Sequence, residues 1–310
     1  MTKHTRINIY LIFETILVFI ALSLLAIYIS QLDIKKLYKT LIYIPILIFQ
    51  GLWFYRFYIV GHEASHKKLF LKNKKLNDAV GSIILLPLMT PINVFRKIHM
   101  FHHGFNRKDN HTSALDTFTT KKTTILKKIY FYTLWYLGVF FGGFFIHSLI
   151  SVILFLFLPP KISIKISPAF KGWTWNDQFK AIGLFILGIS FHLLIYKIGG
   201  WHIYIYTILF PLLSFAWVLS LLVYVLHYDT TVGENVRYNV RSVKNVPIIS
   251  WILLNFNEHA THHQNPNIPW YQLPKKSKPL PEEFHNKNQT TTNFFVAILN
   301  QLKGPRIINE

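Results

Sequence analysis

Long apolar runs separated by basic segments set the plan of this chain. Runs at 7–29 and 41–60 each come close to the ~20 residues that a helix needs to cross a bilayer. The first follows Lys3 and Arg6, as a signal peptide would. Its apolar stretch is too long for that role and no small-residue cleavage site follows, so it reads as an anchor. Glu14 within it is expensive in lipid and is expected to face other helices. From 67 to 128 the chain is polar and basic, interrupted by an apolar piece at 80–91 that holds Pro87 and Pro91. That piece is too short to cross, and an interfacial or re-entrant segment is expected. Apolar stretches return at 129–158, 179–196 and 203–226, and the remainder from 227 is polar, basic and Pro-punctuated.

Parity constrains the topology. The segments 67–128 and 237–306 are both rich in Lys and Arg, which places both on the cytoplasmic side. An even number of crossings must then separate them, so one of the three later stretches does not span. The stretch 129–158, with Gly138, Gly142, Gly143 and His147, is a candidate to lie along the interface, and the choice among the three stays open. The expected fold is an all-α integral membrane protein. It has about four transmembrane helices, interfacial helices and a cytoplasmic histidine-rich cap. No internal repeat is visible, and residues 1–310 read as a single membrane-embedded domain with its core at about 41–274 and a cytoplasmic tail at 275–310.

Composition agrees with this pattern. Hydrophobic residues make up 52% and charged residues 15%, against about a quarter charged in soluble domains. The net charge of +20 therefore reads as positive-inside loops against anionic membrane lipid, with no nucleic-acid motif to suggest another polyanion. Cysteine is absent, which excludes disulfides, thiolate metal sites and iron–sulfur clusters, and leaves histidine as the metal ligand to look for.

The 15 histidines are clustered. His62 and His66 form one box, His99, His102 and His103 a second, and His259, His262 and His263 a third. Positions i, i+3 and i+4 share a helix face, so each box aims its rings to one side, as a metal site between helices requires. Eight imidazoles suffice for about four nitrogen ligands on each of two metals, and His227, at the end of the last apolar stretch, is a ninth candidate. Imidazole suits zinc, copper, nickel and iron alike, so ligand type does not name the metal. A single histidine is more often a packed core residue; three boxes of matching spacing are not explained that way.

The order HxxxH, HxxHH, HxxHH, with a long apolar insert before the third box, resembles the membrane fatty acid desaturase superfamily. Asn255-Phe256-Asn257-Glu258 before the third box and Pro266 to Pro274 after it extend the likeness, as does Asp116 after the second box. The resemblance implies two iron ions cycling between Fe2+ and Fe3+, O2 as oxidant, and an acyl lipid or acyl thioester as substrate. It also implies two electrons from a separate donor of ferredoxin or cytochrome type, because no haem, flavin or nicotinamide fingerprint is present. The reaction expected is desaturation of a fatty acyl chain. The same scaffold supports hydroxylation or ketolation of an acyl chain, alkane or carotenoid, and the boxes do not separate these outcomes. A metal transporter is the rival from another class, but transporters place their ligands near the bilayer midplane.

Metal-bound imidazoles usually pass their second N–H to a carboxylate or carbonyl. Glu63, Glu258, Asp109 and Asp116 are candidates for that role, with Asp116 preferred. His111, His147, His192 and His202 lack the spacing of ligands, and His4 and His285 need no role. Trp270 and Tyr271 read as acyl-route or interface aromatics. The sequons at Asn110 and Asn288 fall on the cytoplasmic side and are discounted. The Lys-, Ile- and Asn-rich composition, with no ER retention tail, leans toward a bacterial inner membrane.

Overall fold

The computed structural model describes residues 1–109, 118–120, 122–244, 246–289 and 293–308, with the backbone alone for 118–120 and 307–308. Helices α1 (Lys3–Gln31), α2 (Lys36–Ser65), α3 (Lys74–Leu85) and α4 (Ile92–Phe105) come first. Strand β1 (Phe118–Thr120) precedes α5 (Ile125–Phe140), α6 (Gly143–Phe157) and the short α7 (Pro160–Ile166). The long α8 (Trp175–Tyr204) runs through a π-helical turn into α9 (Phe210–Val225). Short helices α10 (Pro247–Ile252), α11 (His259–Gln264), α12 (Glu282–Asn288) and α13 (Phe294–Asn300) follow. Strand β2 (Arg306–Ile308) pairs in parallel with β1, Phe118 opposite Arg306.

Among the described residues three helical stretches are long and apolar enough to cross a membrane: Lys3–Gln31, Lys36–Ser65 and the 51 residues Trp175–Val225. Straight, the last would reach about 77 Å at ~1.5 Å per residue, more than twice the ~30 Å hydrocarbon core. It is not straight. Gly200 holds φ 70° and ψ 179°, a conformation that residues with a Cβ avoid, and the helix breaks there. Beyond the break the chain turns back, for the Tyr204 hydroxyl lies 3.1 Å from His192 Nδ1, whereas 12 residues of straight helix would separate them by about 18 Å. Residues 175–199 and 201–225 are therefore two limbs of a hairpin. With α1 and α2 they give four apolar limbs, within the three to five candidate spans among the described residues and in keeping with the about four that the sequence leads one to expect. The hairpin turn lies beside the turn that joins α1 to α2, with Ser30 Oγ 2.8 Å from His202 Nε2.

The two remaining apolar pieces are bent. Helices α5 and α6, which share the stretch 129–158, meet at 92° beside Gly142, and this is the stretch that does not run straight. The pair Lys74–Leu88 and Ile92–Phe105 meets at 94°, in keeping with the two prolines at that corner.

The chain forms two compact units, Met1–Ile98 with Ser148–Val218, and His99–His147 with Leu219–Glu310. In the first unit α1 packs on α2. Phe19 stands edge-on to Phe54 and Phe57, and Trp53 Nε1 donates to the Thr15 carbonyl. Glu14 faces α2 as expected, pairing with buried Arg56 at 2.7 Å. Val94, Val152, Leu156, Phe170 and Trp173 form a further core. In the second unit Trp135, Val139, Leu221, Tyr224 and Tyr228 pack together, and Val240, Ala260, Leu280 and Phe284 form a smaller cluster. The polar segment from 275 is built into this unit. Buried Asn288 accepts from the Thr231 N–H and donates to the Tyr238 carbonyl, so that sequon serves packing.

Candidate metal centre

Helix α2 carries the first box to its end. His62 and His66 lie one turn apart with ring centroids at 4.7 Å. Lys67 then adopts a left-handed φ of 59°, its N–H donates to Ala64 O, and the Lys68 N–H donates to Glu63 O. These two bonds make a Schellman cap, which stops the helix directly after the box. The loop beyond is held by α1, through His4 Nε2 at 2.7 Å from Lys68 O and Asn8 Nδ2 donating to Leu69 O. His4 therefore has a structural role that its position near the terminus does not reveal.

Glu63 is buried beside the box, with Oε1 3.4 Å from His62 Nδ1 and 2.8 Å from the ammonium of buried Lys68. Glu63 is thus a carboxylate set against a box histidine. Asp116, the preferred candidate from the sequence, lies outside the described residues, as does His111. Glu258 instead ties hydroxyls at the start of α11, accepting from Ser277 Oγ at 2.9 Å, and burial raises its carboxyl pKa.

In the second unit seven imidazoles converge from three places: the end of α4, the turn after α9, and α11. His102, His227, His259 and His263 form one set whose ligand atoms all lie within 4.8 Å of one another. Within it His227 Nε2 is 2.9 Å from His259 Nε2, and His102 Nε2 is 3.2 Å from His263 Nε2. His103 Nε2 lies 3.0 Å from both His99 Nε2 and His262 Nε2, so these three form the nucleus of a second set. Metal–imidazole bonds run ~2.0–2.1 Å, so ligands on adjacent corners of a tetrahedron or octahedron sit roughly 2.9–3.4 Å apart. The observed separations match that edge.

Electrostatics agree. Burial brings the His102 pKa down to about 4, and holds His227 and His263 well below the usual imidazole range, with neighbouring histidines adding repulsion. The rings are thus neutral with lone pairs available, the state that a transition metal binds. Nδ1 of His227 and of His263 is buried with no partner among the described residues. All-imidazole donors at this spacing fit iron, and equally zinc, copper or nickel.

What brings His227 to the end of α4 is a polar clamp that sequence reading missed. Asn239 Nδ2 donates to the Arg107 and Gly233 carbonyls, and Asn106 Nδ2 donates to Asn239 O. Arg107 donates to the Thr230 and Thr231 carbonyls, and Thr230 Oγ1 donates to His227 O. Burial lowers the guanidinium pKa of Arg107 to about 9 and that of Arg241, which donates to Tyr228 O, to about 10. In a chain with so many basic residues, nothing in the sequence marks these two as buried.

Elsewhere the lone histidines pack as expected. His192 bridges Tyr204 and the Pro87 carbonyl, and His202 meets Ser30.

A family profile described as fatty acid desaturase matches residues 39–294. The chain is 25% identical over 256 residues to the sn-1 oleoyl-lipid 12-desaturase of Picosynechococcus sp., covering 75% of this chain and 67% of that one. It is 24% identical over 261 residues to the sn-1 acyl-lipid omega-3 desaturase (ferredoxin) of Nostoc sp., covering 78% and 69%. With the chloroplastic omega-6 fatty acid desaturase of Brassica napus it shares 26% over 241 residues, 70% of this chain and 49% of the relative. The chain thus spans about two thirds of these bacterial relatives and about half of the plant one.

Proposed function

This chain belongs to the fatty acid desaturase family, and from that premise we propose that it is an acyl desaturase placing a C=C bond in the fatty acyl chain of a lipid or thioester. The observation that carries the reading is the convergence of seven imidazoles in two sets at metal-edge spacing, with His102, His227 and His263 held neutral by burial. His102, His227, His259 and His263 hold one iron. His99, His103 and His262 hold the other, and the family resemblance makes the HxxxH box of His62 and His66 a further pair of ligands. When bound, the two irons supply the oxidising power that, with O2 and two electrons, removes hydrogens from two neighbouring carbons.

The protein's own part is positioning and exclusion. Rings delivered by helix ends stay neutral because they are buried, and burial of the site keeps water from the reacting carbons. Electrons come from a separate ferredoxin- or cytochrome-type donor, consistent with the word ferredoxin in the name of the Nostoc relative. The distribution of Lys and Arg supports boxes facing the cytoplasm of a bacterial inner membrane.

The test is mass spectrometry of total lipids from a host expressing the chain, beside a His262→Ala control. An acyl species two hydrogens lighter, absent in the control, is the expected result. A species heavier by oxygen moves the assignment to a hydroxylase or ketolase, and a purified protein that holds zinc but no iron sinks the di-iron reading.

A further inference from the structure

His227 stands apart from the boxes, just beyond the end of α9, and among the described residues no carboxylate meets its Nδ1. The two residues after it are gripped instead. The Tyr228 hydroxyl donates to the Gly304 carbonyl at 2.9 Å, and Asp229 pairs with Arg306. The same short segment is held at three further points. Trp135, whose ring packs on Tyr228 at 5.0 Å, donates Nε1 to Gln301 O at 2.9 Å. The Tyr136 hydroxyl donates to Leu302 O at 2.8 Å, and Gln301 Nε2 donates to Leu221 O at 3.2 Å. Gly304 is needed twice over: its φ is 86°, and an added Cβ would stand 2.5 Å from Tyr132 Cε1.

We propose that residues 301–306 form a strap that positions His227, fixing the aim of its ring by clamping Tyr228 and Asp229. Tyr228, Gly304 and Arg306 are then positioning residues for the set of four imidazoles. The proposal rests on the metal reading above. The clamp of Arg107, Thr230 and Arg241 holds the turn by its backbone carbonyls, and the strap adds a grip on the side chains of the two residues that follow the ring.

The experiment uses the full chain in detergent, loaded anaerobically with ferrous iron, with bound iron measured by elemental analysis. The wild type is expected to hold two irons, and His227→Ala and Gly304→Ala each about one. The double variant is expected to lose no more than either single, because both remove the same ligand; additive loss is the mark of a general structural defect. Tyr228→Phe, which removes one hydroxyl, should weaken iron retention about 10-fold, the lower end for an outer-shell contact. It serves as the reading if Gly304→Ala does not fold. Full iron in a folded Gly304→Ala, in Tyr228→Phe if that variant must serve, or additive loss in the double variant, overturns the strap alone. A wild type that takes up no iron overturns the metal reading and the strap with it.

Discussion

Glu63, paired with buried Lys68, lies against His62, whereas among the described residues His227 and His263 meet no such group at Nδ1. A carboxylate in that place sets which ring nitrogen carries the proton and so frees the other for a metal. Glu63→Gln keeps the shape and removes the charge; competition with a chelator should then show metal affinity reduced about 10–100-fold in a folded protein. Acid should act on the rings themselves. An unfolded imidazole takes its proton near 6.5 and folded His102 near 4, so between those values the unfolded chain binds more protons. Stability of the metal-free protein is therefore flat in this term above pH 6.5 and falls as pH drops from 6.5 through 4. A thermal melt series across that window checks it, and a Tm that stays level would mean the rings are not held neutral.

Between elements, the pair Glu14–Arg56 joins α1 to α2 inside the apolar zone. Glu14→Leu leaves Arg56 buried without its carboxylate and should cost ~3–5 kcal/mol, while Glu14→Leu with Arg56→Met should recover most of that. Thermal stability of the two variants in detergent separates a needed pair from a replaceable one. Glu14 was legible in the sequence because a lone carboxylate in an apolar run has few places to face. The helix break at Gly200 was legible as a gap between two apolar stretches, and the boxes as repeated spacing. The clamp of Asn106, Arg107 and Asn239 was not, since its partners lie 132 and 133 positions apart and each looks like a solvated loop residue. Glu63 was visible as a candidate, but only burial distinguishes it from a surface charge.

At the scale of the whole molecule, polarity misled most in the last forty residues. Prolines and lysines suggest a tail, yet α12 packs through Phe284 and the Asn288 side chain, and the strap through the carbonyls of Gln301, Leu302 and Gly304, which carry no sequence signal. Three distant segments of the second unit meet at the imidazoles, so a bound metal links them. Stripping it should lower Tm, and re-addition should restore it. The stabilisation should be about 2.7 kcal/mol when free metal stands 100-fold above its Kd. The paired hairpins also bear on how such a chain enters a bilayer. For these four limbs to cross, the turn at 32–35 and the turn around Gly200 have to pass through the hydrocarbon. Neither carries a long hydrophilic load, so insertion proceeds by two helical pairs with no hydrophilic domain drawn across.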